Sequence, residues 1–107
     1  MNDRAEEVNQ LNRVIHEPTR LAILSILASV EEADFLYLMR EGGFTQGNLS
    51  AHLAKLEEAG YIKIVKTFKG KYPMTICKLT TKGKLEFNGY AKRMIGILQP
   101  QKLARKR

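Results

Sequence analysis

Hydroxyl and amide side chains are concentrated at the start of residues 45–60, and no acidic side chain follows them before Glu57. Apolar residues in this segment recur at helical spacing and predict a helix with one narrow buried stripe. The stripe consists of Leu49, Leu53 and Leu56. Thr45 can cap the free N–H groups at the start of the helix, and Gly60 can end it. We therefore expect a helix over residues 45–59 whose outer face is short and polar.

That outer face has the side chains needed to recognise DNA bases. Amides and hydroxyls form hydrogen bonds with base edges in the major groove, and the amides of Gln46 and Asn48 can each bond adenine at two atoms. A plain surface helix is the alternative. We expect these residues to face bases or the nearest phosphates: Thr45, Gln46, Asn48, Ser50 and Ala51. Lys55, further along the same face, is expected to reach a backbone phosphate.

A basic β-hairpin is predicted directly after this helix, over residues 61–80. Two β-branched, partly alternating segments flank a turn over residues 69–73, and the hairpin has five lysines and no acidic residue. Lysines on edge strands often serve only to prevent aggregation. Five of them are better explained by phosphate contacts along the backbone or the adjacent minor groove. The lysines expected to make these contacts are Lys66, Lys69 and Lys71.

The charge of the chain divides sharply at residue 60. The net charge is +7, but residues 1–60 contribute −5 and residues 61–107 contribute +12. Such asymmetry indicates contact with a nucleic acid or an anionic membrane, although a solubilising surface is the alternative. No apolar run reaches the roughly 20 residues of a membrane helix, so a membrane partner is not expected.

The remaining elements complete a mostly helical single domain. Apolar spacing predicts helices over residues 4–16, 18–30, 34–41 and 82–98, and residues 100–107 form a basic tail. Gly42 and Gly43 separate the 34–41 helix from the 45–59 helix, which is the layout of a helix-turn-helix. The predicted fold class is therefore α+β, mostly α: a winged helix-turn-helix with a two-stranded hairpin as its wing.

The two terminal helices have more apolar surface than one small domain needs. A monomer that exposed all of it would be prone to aggregation, so we expect a homodimer joined through these helices. The residues expected at this interface are Val8, Leu11, Ile15, Tyr90, Met94, Ile97 and Leu98.

Four motifs in this order resemble winged-helix bacterial and archaeal transcriptional regulators of the ArsR/MarR type, over about residues 11–90. They are His16-Glu-Pro-Thr-Arg-Leu-Ala-Ile-Leu, Thr45-Gln-Gly-Asn-Leu-Ser-Ala-His-Leu, Leu56-Glu-Glu-Ala-Gly-Tyr-Ile and Leu79-Thr-Thr-Lys-Gly. The resemblance implies that the second motif is the recognition helix, that the third leads into the wing and that the fourth opens the C-terminal helix. It also implies a homodimer that binds a near-palindromic operator.

Metal sensing, found in some of these regulators, is not expected here. Its paired Cys or Cys/His ligands are missing, since the chain has one cysteine and two widely separated histidines. No nucleophile–base pair or cofactor motif occurs, so we expect no enzymatic activity and no cofactor. No residue cluster indicates a small-molecule effector. The single Cys77 and the polar N-terminus fit a reducing, cytoplasmic setting.

Four further residues have alternative interpretations. We expect His52 to pack and form hydrogen bonds, with direct DNA contact as the alternative, and His16 to be structural. Arg20 could contact either a phosphate or an acidic neighbour. Cys77 on a wing strand is expected to be a small apolar residue, with redox sensing as the alternative.

We therefore expect a homodimeric regulator that binds double-stranded DNA sequence-specifically, with the recognition helix in the major groove and the basic wing on the backbone or minor groove. An architectural DNA- or RNA-binding protein without sequence preference is one alternative. A winged-helix adaptor that binds other proteins is another, but it would need an apolar face on the 45–59 helix.

Overall fold

Eight elements make up most of residues 3–99, the part of the chain that this computed structural model describes. In chain order they are α1 (Arg4–Asn9), α2 (Pro18–Val30), β1 (Glu32–Asp34), α3 (Phe35–Gly42), α4 (Gln46–Glu58), β2 (Ile62–Lys69), β3 (Tyr72–Leu79) and α5 (Thr81–Leu98). The basic tail expected at residues 100–107 lies outside the described residues. No helix within residues 3–99 is both long and apolar enough to cross a bilayer.

Helix α2 lies at the centre of the core. Its Ile23, Leu24 and Leu27 are fully buried and belong to one cluster with Leu38 of α3 and the leucine stripe of α4. Each such side chain contributes about 1.5–3 kcal/mol through burial. Pro18 begins α2, where a proline loses no helical hydrogen bond, and the carboxylate of Glu17 accepts from the Arg20 backbone N–H at 2.9 Å.

The sheet is antiparallel with strand order β1-β3-β2. The hairpin of β2 and β3 is the predicted wing, and the predicted fold class is confirmed. The third strand, β1, was not expected, because three residues are too few for an alternating pattern to be visible. Its Glu32 lies opposite Lys78 of β3, and the two side chains form an exposed ion pair at 3.3 Å.

Pro73 lies in β3, the central strand, where a proline would normally break the hydrogen-bond ladder. Strand β1 pairs with β3 only from Ile76 to Lys78, so it ends before it reaches Pro73. Beyond that point β3 has a single neighbour, with Pro73 opposite Phe68 of β2. One side of β3 therefore needs no partner at Pro73, and the proline is tolerated at the tip of the wing.

The N-terminal helix is shorter than the expected 4–16, because α1 ends at Asn9. The side chain of Asn12 accepts from the backbone N–H groups of Val14 and Ile15, at 2.9 and 3.2 Å. Asparagine competes for backbone groups in this way and favours turns over helices. The resulting α1–α2 turn, residues 10–17, places Leu11 and Ile15 in the core.

Helix α5 begins against the end of α4. The Thr80 hydroxyl accepts from the Gly83 backbone N–H at 2.9 Å and donates to the Gly60 carbonyl at 2.6 Å, so one side chain caps α5 and fixes it to the turn after α4. Gly83 lies so close to this turn that a Cβ atom would be 2.1 Å from the Tyr61 carbonyl oxygen. A glycine is therefore needed for α5 to pack at this distance.

Replacing Gly83 with alanine should destabilise the fold by at least about 2 kcal/mol, because the added methyl group must displace backbone rather than a flexible side chain. The matched control is Gly89→Ala in the same helix, where a Cβ atom meets nothing within 4 Å. That change should stabilise by about 0.5–1 kcal/mol. Urea unfolding of both variants measures the difference, and equal stabilities would contradict the close packing at Gly83.

Candidate nucleic-acid interface

Capping residues define where the two helices of the helix-turn-helix, α3 and α4, begin and where α3 ends. Asp34 caps α3 by accepting from the Tyr37 N–H at 2.7 Å, and Gly43 ends α3 with a left-handed φ of 68°. The Thr45 hydroxyl accepts from the Asn48 backbone N–H at 3.2 Å and so caps α4. The Thr45 hydroxyl therefore accepts one hydrogen bond within the chain and can still donate its own O–H to a partner.

The outer face of α4 is solvent-exposed along its length. Its stripe of Leu49, Leu53 and Leu56 is buried against the core, which turns the opposite side of the helix outward. The residues predicted from the sequence to contact DNA from this helix, and found exposed, are Thr45, Gln46, Asn48, Ser50, Ala51 and Lys55. All six are thus accessible to a partner, with Gln46 and Ser50 on the flank toward the wing and Lys55 on the other flank.

A groove separates α4 from the wing, and it contains Lys66. Gln46 and Ser50 line the α4 side of this wing-side groove, and Lys66 and Thr75 line its wing side. At the inner end of the groove the Glu57 carboxylate accepts from the backbone N–H of Ile64 at 3.0 Å. This bond joins the end of α4 to the first strand of the wing. Lys66 is therefore placed beside the exposed polar residues of α4.

The three predicted wing lysines do not lie on one surface. Side chains alternate between the two faces of a strand, so Lys66 and Lys69 of β2 point to opposite faces, and Lys71 lies in the turn between the strands. Two aromatic side chains near the tip, Phe68 and Tyr72, are 70% and 78% exposed. Phe68 shares the face of Lys66. The exposure of these two aromatic side chains could not be predicted from the sequence, because the hairpin alternates only partly between apolar and polar residues.

A second groove lies on the other flank of α4, between this helix and the α1–α2 turn. We call it the turn-side groove; its lining residues are Arg13, Val14, Arg20, Lys55, Glu58 and Ala59. Arg13 does not stand out in the sequence, because its segment is predicted there as part of the 4–16 helix, and only the structure shows the turn that brings it beside α4. The structure therefore adds a basic residue of the turn to the cationic surface around α4.

Arg20 connects α2, the α1–α2 turn and α4. Its Nε donates to the Val14 carbonyl at 2.5 Å, and its Nη1 lies 3.1 Å from Nδ1 of His52. A guanidinium can only donate, so Nδ1 of His52 must accept and the ring proton must be on Nε2. Nε2 lies 3.6 Å from the Glu17 carboxylate. Arg20 thus bonds mainly to backbone carbonyls and a histidine, rather than to an acidic side chain.

The cluster of Arg20, His52 and Glu17 also lowers the pKa of the Glu17 carboxyl, and the second histidine, His16, has a separate contact. Partial burial opposes ionisation of Glu17, but the Arg20 backbone N–H and the nearby His52 outweigh it, so the pKa of Glu17 is lowered. The hydrogen-bonding role expected for His52 is confirmed. His16 has a structural contact as expected, because its Nδ1 lies 2.7 Å from the hydroxyl of Tyr90.

Three of the seven expected dimer residues are buried within the chain itself. Leu11 is 3% exposed, Ile15 is 0% and Tyr90 is 6%, so these side chains pack in the core and do not form a free surface. Leu11 and Ile15 are buried because the α1–α2 turn directs their side chains into the core. The exposed apolar residues on the terminal helices are Val8, Leu85, Ile95 and Leu98, with Met94 and Ile97 half-buried.

Cys77 is fully buried in β3, paired with Ala33 and Ile64 on the neighbouring strands. Loss of hydration, with smaller contributions from Glu57 and Asp34, raises the pKa of its thiol from 9.0 to about 11. The thiolate is the reactive form of cysteine, so this thiol is unreactive near neutral pH. Its position favours the expected role as a small apolar residue. Within residues 3–99 no three His, Cys, Asp or Glu side chains form a group able to bind a metal.

A capped helix with an exposed polar face, preceded by a glycine turn and followed by a basic hairpin, defines a winged helix-turn-helix domain. Comparisons agree with this class. Residues 19–98 match the family model described as winged helix DNA-binding domain. The chain belongs to this family.

Relatives and solved structures extend the comparison. An uncharacterized protein of Methanocaldococcus jannaschii is 38% identical over 79 residues, which cover 73% of this chain and 85% of the relative. A transcriptional regulator homologue from Pyrococcus horikoshii superimposes with a TM-score of 0.82 at 25% identity, over 87% of this chain and 94% of the other. A MarR-family regulator from Silicibacter pomeroyi shares the fold, with a TM-score of 0.65 at 16% identity over 88% and 62% of the two chains. The expected resemblance is thus confirmed for the winged helix DNA-binding family and for the winged-helix fold.

Raising the pH should weaken the fold through Cys77. The folded-state pKa of about 11 lies above the unfolded value of 9.0, so the stability due to the buried thiol is complete below pH 9 and is lost as the pH rises toward 11. The loss should be on the order of 2 kcal/mol. Burial also raises the pKa of Tyr90, so the wild type must be compared with Cys77→Ala, in which only the cysteine contribution is missing. Identical pH slopes for the two proteins would contradict this assignment.

Proposed function

We propose that this protein is a sequence-specific, double-stranded DNA-binding transcriptional regulator that acts as a homodimer. One observation carries the proposal: the exposed face of α4 is polar and free of acidic residues up to Glu57, and it lies beside a cationic hairpin. Membership of a winged helix DNA-binding family supports the DNA partner. The named functions of the Pyrococcus and Silicibacter proteins support a regulatory role.

The two parts of the interface would contribute differently. Gln46, Asn48 and Ser50 on α4 would contact base edges in the major groove and set the sequence preference. Lys55 and the wing lysines Lys66, Lys69 and Lys71 would contact phosphates. Because neutralising phosphates releases counterions, most of the affinity would be electrostatic and would fall steeply with salt.

A homodimer is part of the proposal because one α4 helix can read only half of a site. Two-fold symmetric regulators bind two half-sites about one helical turn of DNA apart. The exposed apolar residues of α1 and α5, chiefly Val8, Ile95 and Leu98, are the surface that a second copy would cover. The cytoplasmic setting remains part of this proposal, and no effector is assigned.

A second candidate function is binding to DNA or RNA without sequence preference. The exposed Phe68 and Tyr72 favour it, because aromatic side chains beside lysines can stack on unpaired bases. The polar face of α4 favours the regulator over this candidate and over a protein adaptor. Selection from a pool of random duplexes separates the two: a recurring palindrome supports the regulator, and no enrichment supports the non-specific binder.

Alanine at Gln46 and Asn48 should reduce sequence preference more than overall affinity. Each lost amide contact should decrease discrimination by about 1–3 kcal/mol at one base pair. The measurement is binding of the selected duplex and of a scrambled duplex, by fluorescence anisotropy at fixed salt. Lys66→Gln is the matched comparison and should weaken both complexes alike. Equal losses for the two duplexes with the alanine variant would reassign these amides to backbone contacts.

The terminal helices should mediate dimerisation. Sedimentation of the wild type at micromolar concentration should show a dimer, and Ile95→Glu with Leu98→Glu should give a monomer, because the added charges would be buried against the second copy. Leu36→Glu is the control, since Leu36 of α3 is 59% exposed, which lies between Ile95 at 56% and Leu98 at 69%. It should leave the dimer intact. A monomeric wild type would exclude this part of the proposal.

A further inference from the structure

We propose that the turn-side groove binds phosphates of the DNA strand that lies across the major groove from the strand contacted by the wing. This inference rests on the proposed function. It assigns a ligand to Arg13, whose role is not evident from the sequence, and it gives α4 a phosphate contact on each flank. The occupant is one class of ligand, the phosphodiester backbone of duplex DNA.

The position of the groove is the first argument. Helix α4 has a groove on each side, one toward the wing and one toward the α1–α2 turn. A helix with its side chains is about 10–12 Å across, and the major groove is about 12 Å wide. A helix lying in the major groove therefore has a phosphate backbone along each flank. The two grooves of this structure lie on the flanks where those backbones would pass.

The second argument is the charge of the groove. It is lined by three cations, Arg13, Arg20 and Lys55, and by one carboxylate, Glu58, which lies at the end of α4 farthest from its N-terminus. Arg13 and Lys55 are exposed, and neither forms an ion pair with any residue in the range 3–99. Their charges are therefore available to an anionic partner.

Arg20 makes the base of the groove rigid. It is held by the carbonyl of Val14 at 2.5 Å, by that of Arg13 at 3.5 Å and by His52 at 3.1 Å. These contacts use three of the five guanidinium N–H groups and leave two for other acceptors. A guanidinium held in place before binding loses little conformational freedom when a phosphate arrives.

The groove is also continuous with the base-reading surface. Lys55 is seven residues after Asn48 and four after Ala51, so the three side chains share one face of α4. DNA positioned by Asn48 would therefore bring a phosphate within the range of Lys55, and Arg13 lies across the groove from Lys55. An isolated anion site would not need this alignment with the recognition face.

The test is the salt dependence of binding to the tightest duplex recovered from the random pool. Arg13→Gln with Lys55→Gln should make the slope of log K against log salt shallower by about 2 for each protomer bound. The control is Lys84→Gln with Lys92→Gln, which removes the same charge from α5. Arg13→Lys with Lys55→Arg should restore the wild-type slope. Thermal unfolding of each variant should match the wild type, because the substituted side chains are exposed.

Neutral methylphosphonates placed on one strand at a time locate the contact. The Arg13 and Lys55 variant should become insensitive to neutral linkages on one backbone of each half-site, and Lys66→Gln to those on the other backbone. If the variant matches the α5 control in both assays while Lys66→Gln weakens binding, the groove proposal fails and the proposed function stands. If the wild type binds no duplex, both fail.

Discussion

The packing of the α4 leucine stripe on α2 is the interaction on which the rest of this structure depends. Leu49, Leu53 and Leu56 are almost completely buried, so α4 cannot rotate about its axis without exposing them to water. At about 1.5–3 kcal/mol for each buried leucine, even a partial rotation would lose a large share of the stability of a small domain. The directions in which Asn48 and, on the flank of the stripe, Gln46 point are thus determined by the buried leucines of the same helix.

Polar contacts on the two flanks of α4 then position the segments that lie beside it, which are the wing and the α1–α2 turn. On one flank the Glu57 carboxylate binds the backbone N–H of Ile64, and this holds the wing. On the other flank Arg20 links His52 of α4 to the carbonyls of the α1–α2 turn. Both contacts join a side chain to backbone groups, so they position a whole segment rather than one neighbouring residue. The leucine stripe orients the helix, and these two anchors form the grooves around it.

The sequence predicted those parts of the fold that depend on local patterns. The periodicity of apolar residues, Thr45 as a cap and the run of lysines after Tyr61 were sufficient to predict the winged helix-turn-helix class. The pattern of apolar residues gave wrong or missing elements where contacts between distant parts of the chain determine the structure. Asn12 ends the first helix by bonding nearby backbone and Tyr61 of the α4–β2 turn, and β1 exists only because β3 is present beside it. Neither effect has a periodic signature.

The candidate site divides in the same way. The exposed face of α4 follows from its helical period, so its residues could be identified from the sequence alone. The residues on the two flanks of α4 could not be identified in this way. Lys66 and Lys69 differ in position only through the pleat of β2, and Arg13 becomes a neighbour of Lys55 only through the turn that Asn12 makes. Leu11, Ile15 and Tyr90 were assigned to a dimer surface because helical spacing shows that residues are apolar and does not show which other part of the chain covers them.

The distribution of charge along α4 indicates which end of the helix approaches DNA. The N-terminus of a helix has a partial positive charge from its free N–H groups, and here the first turn has no acidic side chain to offset it. Both glutamates are at the opposite end. Glu57 is engaged with the wing backbone, which leaves Glu58 as the carboxylate of α4 without an internal bond among the described residues. An approach by the N-terminal end therefore places the positive end of the helix dipole against DNA. Glu58 then borders only the turn-side groove, where Arg13 and Lys55 offset its charge. The reverse orientation would bring the negative end of the dipole against the anionic surface.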